Sequence, residues 1–245
     1  MVEKEQRVLV AADIHLGLEY ELWLSGASIP SQTDRILERL KKNVIDLKPD
    51  RLILVGDVKH NVPKTSWQER REVPYFLREL CKHVKVDIVP GNHDSEIASM
   101  APMGVRVLPS SGFVLDGIGY FHGHTWPSIE LLDSELLIAG HIHPALRLKD
   151  PIGHSTTMRV WARAPLSAEA IKRQYGLVKD KMPEMMIVPA FNDLCGGMSL
   201  NEISPEDERG PILTMAAIDM SRIYLLDGID LGILKEIKSS IKRQG

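Results

Sequence analysis

The stretch VKVDIVPGNHD, Val84 to Asp94, sets a β-rich apolar run against an abrupt polar turn. Val84, Val86, Ile88 and Val89 read as a short buried strand, and Pro90-Gly91 ends it. Asn92, His93 and Asp94 then follow one another. Gly and Asn favour turns, so the stretch alone reads as an ordinary strand exit. The sharper reading is that the turn delivers a metal ligand and a proton donor to a phosphate site.

Working outward, the same grammar recurs. RVLVAAD (Arg7 to Asp13) is a short apolar run ending in a carboxylate, and DRLILVGD (Asp50 to Asp57) is another. Between them SQTDRILERLKKNVIDLK has Ile36, Leu37, Leu40, Val44, Ile45 and Leu47 at mostly helical spacing after a polar start at Ser31. SWQERREVPYFLRELCKH reads as a further helix, with Pro74 expected to break or kink it. Downstream, GFVLDGIGYFHGH reads as a hairpin turning at Asp116-Gly117. SELLIAGHIHPALRL is a strand, a His-rich turn and a strand; TMRVWARA and EMMIVPA are later strands. SRIYLLDGIDLGILKEIKSSIKRQG closes with a strand and a basic helix, and NEISPEDERGP is a polar loop. This alternation predicts an α/β chain.

The whole-chain properties set bounds. At 245 residues the chain can bury a substantial core as one domain. With 30 Lys+Arg against 33 Asp+Glu, its formal charge is -3, which argues against a nucleic-acid coat protein but permits a nuclease with a local basic groove. Cys81 and Cys195 lie outside any CxxC and suit a reducing cytoplasm. The N-terminus carries no signal-peptide core and no run is long enough to span a bilayer, so a soluble cytoplasmic protein is expected.

Chemistry concentrates where the apolar runs stop. Asp13 and His15 follow the first, Asp57 and His60 the second, Asn92, His93 and Asp94 the third. His122 and His124 end the hairpin strand, and His141 and His143 follow ELLIAG. Of the nine histidines only His83 and His154 fall elsewhere. Taken singly, each segment reads as a turn or an ordinary hydrogen-bonded histidine. Five such segments at successive strand ends point instead to a ligand crevice, because open α/β sheets bind at the carboxyl ends of their strands. Imidazoles, carboxylates and an amide oxygen suit Mn, Fe or Zn rather than a structural zinc site. The set is too large for one ion. Two ions roughly 3.5–4 Å apart can clamp the attacking and leaving oxygens of a phosphoryl transfer and make hydroxide available near neutral pH. A non-ligand imidazole then protonates the leaving group.

The series Asp13-x-His15, Gly56-Asp57, Gly91-Asn92-His93-Asp94, His122-Gly-His124 and Gly140-His141-x-His143 resembles the motifs of the calcineurin-like metallophosphoesterases, in that family's order. The resemblance implies a four-layer αββα sandwich of two mixed β-sheets flanked by helices. It implies one domain over 1–245, with the motif core at 7–150 and C-terminal strands, loop and helix at 151–245. It assigns Asp13, His15 and His143 to one divalent ion and Asn92, His122 and His141 to another, with Asp57 bridging. Mn2+ is the first choice, with Fe, Zn, Ni or Mg open. His93 is the implied general acid and Asp94 orients its ring. His122 is preferred over His124 as the ligand, which leaves His124, like Asn92, to face substrate; the reverse remains open. His60 resembles a phosphate-recognising histidine of SbcD-type nucleases, and reads equally as a loop histidine.

RVWARAPL and VPAFNDLCGGMSLN resemble the tail of an SbcD-related archaeal branch, through Phe191, Asn192, Gly196 and Gly197. Those residues read either as a pocket-lining loop or, in preference, as a Gly-Gly turn. The long DNA-gripping domain of break-repair nucleases is not in the sequence given. The implied activity is phosphodiester hydrolysis, on nucleotides or single-stranded nucleic acid. The alternatives are a nuclease acting with a DNA-repair helicase or ligase partner, and a catalytically weak interaction scaffold. A homodimer is a reasonable prior. Trp23, Trp67 and Trp126 read as packing or as base-stacking residues.

Overall fold

A computed structural model describes residues 6–149, 152–177, 179–203 and 210–244. Most of the polar loop expected at 201–211 therefore lies outside the described residues, as do the first five. The chain forms two compact units, Met1–Ser110 with Phe191–Cys195, and Ser111–Ala190 with Gly196–Gly245.

The first unit runs β1 (Val8–Ala12), α1 (Leu18–Leu24), α2 (Thr33–Leu47), β2 (Arg51–Val55), α3 (Trp67–Cys81), β3 (Lys85–Val89), α4 (Ile97–Met100) and β4 (Val105–Val107). Its four strands pair in sequence order, each parallel to the next. The continuous apolar runs predict this, since parallel strands are covered by their crossover helices. Ile36, Leu37, Leu40 and Val44 of α2 and Val73, Phe76, Leu77 and Leu80 of α3 share one core with Leu52, Leu54, Val86 and Ile88. One polar residue interrupts that pattern. Asp87 in β3 is buried and takes Arg51 Nη1 at 2.7 Å and Arg106 Nε at 2.8 Å from the neighbouring strands.

Pro74 does not break α3, which continues to Cys81. Proline removes one backbone donor, but the start of this helix is secured independently. Ser66 accepts from the Glu69 N–H while the Glu69 carboxylate accepts from the Ser66 N–H, a capping box. The apolar face on both sides of Pro74 is buried, and tertiary packing outweighs the lost hydrogen bond.

The second unit carries β5 (Phe113–Leu115), β6 (Ile118–Tyr120), β7 (Leu136–Ala139), β8 (Pro144–Lys149), β9 (Ser155–Pro165), α5 (Ala168–Tyr175), β10 (Glu184–Ile187), β11 (Met198–Ser199), α6 (Pro211–Met215), β12 (Arg222–Leu225), β13 (Asp230–Ile233) and α7 (Leu234–Gln244). Its nine strands form a mixed sheet, ordered β11-β8-β9-β10-β7-β6-β5, with β12 joining β9 and β13 joining β12. The β5–β6 hairpin turns at Asp116 (φ 49°) and Gly117 (φ 76°), the left-handed pair that suits a tight hairpin. The closing segment holds two antiparallel strands before its helix, where the sequence suggested one. Phe121, Leu137, Val160, Ala162, Met185 and Ile187 pack with α5 and α6 in a core of their own. The chain is thus of the expected α/β class, two sheets with flanking helices, one sheet parallel throughout and the other mixed.

Candidate metal centre

In the first unit, parallel register positions the polar turns. Ala12 stands opposite Val55 and Val55 opposite Val89, so the residues just past β1, β2 and β3 emerge side by side. The pairing persists beyond the strands. The Asp13 N–H donates to the Gly56 carbonyl at 3.1 Å, and the His15 N–H to the Asp57 carbonyl at 2.8 Å. Asp13, His15 and Asp57 are all buried, and one donor atom from each lies within 4.8 Å of the others. Two carboxylates and an imidazole so placed fit a divalent ion with mixed N/O ligation.

The backbone at these positions is unusual. Among the described residues, positive φ outside glycine occurs at eight positions: Asp13 (56°), His15 (46°), Lys48, Asp57 (51°), Glu96, Asp116, His141 (74°) and His143 (44°). Five of the eight are sequence-predicted ligands. Left-handed backbone at a side-chain-bearing residue costs about 1–3 kcal/mol and persists where surrounding structure imposes it, typically at functional sites.

His15, His60 and His93 form a second cluster in this unit, with ring centroids 5.0–5.3 Å apart and donor atoms again within 4.8 Å. His60 Nδ1 is 3.1 Å from His15 Nδ1, and its Nε2 is 2.5 Å from the Glu21 carboxylate. The His93 N–H donates to Asp57 Oδ1 at 2.9 Å. Its ring Nδ1 contacts the His60 carbonyl.

Asp94, expected to orient the His93 ring, also has a backbone role. The Asp94 carboxylate takes the N–H groups of Val58 (2.8 Å), Lys59 (3.2 Å) and Gly91 (2.9 Å). Asp94 braces the backbone of two turns, and the His60 carbonyl meets the ring. Asn92 is exposed beside them.

Three supports in this unit escaped the sequence reading of the site. Gly91 is required by close approach: a Cβ there would lie 2.1 Å from Asp57 Oδ1 and 2.6 Å from the Asp57 nitrogen. Glu69, fully buried, accepts from the His60 N–H (2.9 Å) and the Asn61 N–H (2.6 Å) as well as from Ser66. Lys59 is fully buried and its ammonium donates to the Asn61 carbonyl at 2.6 Å. Gly91 stands in a quoted motif and Ser66 with Glu69 has the spacing of a capping box, whereas Lys59 left no sequence signal. Asn192 was noticed, but as part of a turn. In the structure its buried side-chain amide donates to the carbonyls of Ile14 (3.0 Å) and His15 (3.4 Å), across the Asp13–His15 turn. Arg39 holds the same segment, pairing with Asp193 at 2.5 Å and lying 4.0 Å from the centre of the Phe191 ring.

In the second unit, β6 and β7 are parallel neighbours, with Tyr120 opposite Ile138. The turns past them therefore emerge together, and the Gly140 N–H donates to the His122 carbonyl at 3.0 Å. His122 is fully buried and its ring centroid is 5.0 Å from that of His141; His124 is less buried and 6.2 Å from His141. His143 Nδ1 lies 3.0 Å from the Gly196 carbonyl, and the Met198 N–H donates to the His143 carbonyl at 3.0 Å. The Gly-Gly turn preferred from sequence is not found: the turn lies at Asp193-Leu194, and Gly196-Gly197 lead directly into β11, where the Gly196 carbonyl meets the ring of a predicted ligand. A partner on the far ring nitrogen is the usual way a ligating histidine is aimed. His83 and His154 belong to neither group.

Comparison with known proteins places these turns in a family. Residues 6–155, more than half of the chain, match the model of the calcineurin-like phosphoesterases. The chain is similar in fold to the nuclease MPE of Pseudomonas putida (TM-score 0.53, 21% identity, covering 90% of this chain and 83% of that one). A weaker likeness, TM-score 0.44 at 14% identity over 92% of this chain and 97% of the other, is to Yfce, a phosphoesterase from E. coli. The family implies divalent metal ions, and the aspartate and histidine groups above fit them. The chain belongs to the calcineurin-like phosphoesterase family and is, with it, a metal-dependent phosphoesterase.

Proposed function

We propose that the chain hydrolyses phosphodiesters at a dinuclear centre, with Mn2+ as the metal. Asp13, His15 and His143 would hold one ion, Asn92, His122 and His141 the other, and Asp57 both. The observation that carries the reading is the left-handed backbone at Asp13, His15, Asp57, His141 and His143. The preference for His122 over His124 rests on its complete burial and its shorter separation from His141. Imidazole and oxygen donors suit Mn2+ and leave Fe, Zn, Ni or Mg open.

Bound ions would polarise the phosphoryl oxygens and acidify water near them. The chain's own contribution is placement and proton transfer. Because Nδ1 of His93 is committed to the His60 carbonyl, Nε2 is the nitrogen that carries a proton to the leaving oxygen. The His93 N–H fastens this residue to the Asp57 carboxylate, so the acid and the shared ligand move as one. Its link to Glu21 fixes the ring of His60 beside His15, where it suits contact with a phosphate oxygen.

We extend the proposal to nucleotides or single-stranded nucleic acid as the substrate class and to a cytoplasmic setting. Cys81 and Cys195, present as thiols rather than a disulfide, support that setting. Among the described residues no helix is long and apolar enough to cross a membrane. The SbcD-related reading of Phe191, Asn192, Gly196 and Gly197 supports a narrower form, a nuclease, as a homodimer or with a helicase or ligase partner.

The test is hydrolysis of bis-p-nitrophenyl phosphate and p-nitrophenyl phosphate by metal-stripped protein with Mn, Ni, Zn or Mg restored. Diesterase activity should return, highest with Mn. His93→Ala should lower it about 10²–10⁴-fold with metal content unchanged. Asp57→Asn should lose both ions by elemental analysis. No turnover with any metal, or two tightly held ions in Asp57→Asn, would overturn the assignment.

A further inference from the structure

Trp23 and Trp67, ambiguous in sequence between packing and stacking, are not packing residues. Their relative exposures are 59% and 73%, and both line one groove of about 470 Å³ in the first unit. Tyr20, one helical turn before Trp23, stacks with it at 5.9 Å and 27°. The groove lies between α1 and the start of α3. Its other walls include Glu19, Arg71 and Glu72, and the two glutamates are buried. Buried carboxylates beneath exposed aromatic faces form a site with two kinds of contact, flat stacking and hydrogen-bond acceptance.

The two carboxylates differ in what they have left to offer. Glu72 already accepts from Ser31, Thr33, Gln68 and Arg71. Among the described residues Glu19 accepts one bond on each oxygen, the Gln32 N–H at 2.8 Å and the Gln68 amide at 3.4 Å. A carboxylate oxygen takes two such bonds, so Glu19 retains acceptor capacity.

We propose that this groove binds a nucleobase of a single-stranded nucleic acid, stacked on Trp23 and Trp67, with Glu19 accepting a hydrogen from an exocyclic amine. Aromatic platforms stack bases, and a carboxylate reads the cytosine amine. A cationic ligand is the competing class for aromatic faces above acids. Arg71 decides against it. Its guanidinium, paired with Glu72 at 3.1 Å, sits 4.7 Å from the Trp67 ring centre, where a ligand cation would go, while Trp67 still leaves 73% of its surface open to a base. Helix α1 serves both regions: its Glu21 bonds His60 while its Tyr20 and Trp23 line the groove. The inference rests on the phosphodiester reading and assigns it a base-bearing strand.

The test is fluorescence anisotropy of the metal-loaded full chain with a labelled, phosphorothioate-linked oligodeoxycytidylate, against an abasic oligomer of equal length. The parent protein should bind the cytidine oligomer at least about tenfold more tightly. Trp23→Ala and Trp67→Ala should each remove most of that ratio, and Trp67→Phe should restore it. Glu19→Gln should erase a preference for cytidine over thymidine oligomers. Equal binding of cytidine and abasic oligomers, an unchanged ratio in both tryptophan variants, or displacement by choline phosphate alone would overturn the proposal. Hydrolysis of bis-p-nitrophenyl phosphate is read separately. Its absence with base discrimination intact defeats the phosphoesterase mechanism, whereas its presence without discrimination defeats only the groove.

Discussion

The two units hold their polar turns by different means. In the first, side chains brace the backbone: Asp94 takes three amides, Glu69 two from the His60 loop, and Asn192 spans two carbonyls of the Asp13–His15 turn. In the second, the described contacts run mainly through the main chain, from Gly140 to His122, from Met198 to His143, and from the Gly196 carbonyl to the His143 ring. The difference teaches where each half is vulnerable: polar side chains in the first unit, backbone space in the second.

The largest effect is expected where both vulnerabilities meet. Gly91→Ala drives a methyl group into the Asp57 carboxylate and its amide, and overpacking against backbone costs about 3 kcal/mol or more. Loss of metal and a fall in diesterase activity of about 100-fold or more should follow, read by elemental analysis and kinetics. Gly197→Ala is the matched probe of the second unit, where a Cβ would lie 2.7 Å from the Ala145 Cβ and 2.8 Å from the His143 carbonyl. It should cost about 1–3 kcal/mol in denaturant unfolding. Equal damage from the two would erase the special status given to Asp57.

Asn192→Ala sharpens the contrast from the other direction. It leaves two buried carbonyls without their amide and should destabilise by about 1–3 kcal/mol. Activity should fall about 10–100-fold while the mutation touches no predicted ligand side chain. Full activity in that variant would mean that the Asp13–His15 turn holds itself, as the turns of the second unit do.

The smallest effect concerns pH. Burial pushes the Glu72 carboxyl up, but hydrogen bonds from Thr33, Gln68, Ser31 and Arg71 more than offset it and hold the group below its ordinary value. A carboxyl lowered in the folded state stabilises above its unfolded value, and that contribution disappears as pH falls through the folded one. Glu72→Gln should therefore lower Tm by about 2 °C at pH 7 and lose the difference toward pH 3, as calorimetry would show. A constant difference at both pH values would contradict the hydrogen-bonded carboxylate.

How much of this was legible in the sequence follows from range. The strand runs ending in Asp13, Asp57 and Asn92, and the hairpin at Asp116-Gly117, are local patterns and stand where the sequence suggested. The β12–β13 hairpin was missed because Asp227-Gly228 sits in a run that also reads as one strand and a loop. Pro74 misled because packing of α3 outweighs a local rule. The turn positions of the candidate site carry a motif; their braces do not. Asn192 is 178 residues from Ile14, and nothing in its own neighbourhood announces the partner. Asp94 also bonds the Val58 amide 36 residues back, a reach that adjacency to His93 does not announce.

Glu69 carries a further consequence. One buried carboxylate both starts α3 and anchors His60 and Asn61. Fraying of the first turn of that helix should therefore loosen the His60 loop, which keeps its bond from the His60 N–H to the Leu16 carbonyl. The Asn61 amide, whose bond to Glu69 belongs to the cap, should then exchange with the first turn of α3 in a hydrogen-exchange experiment.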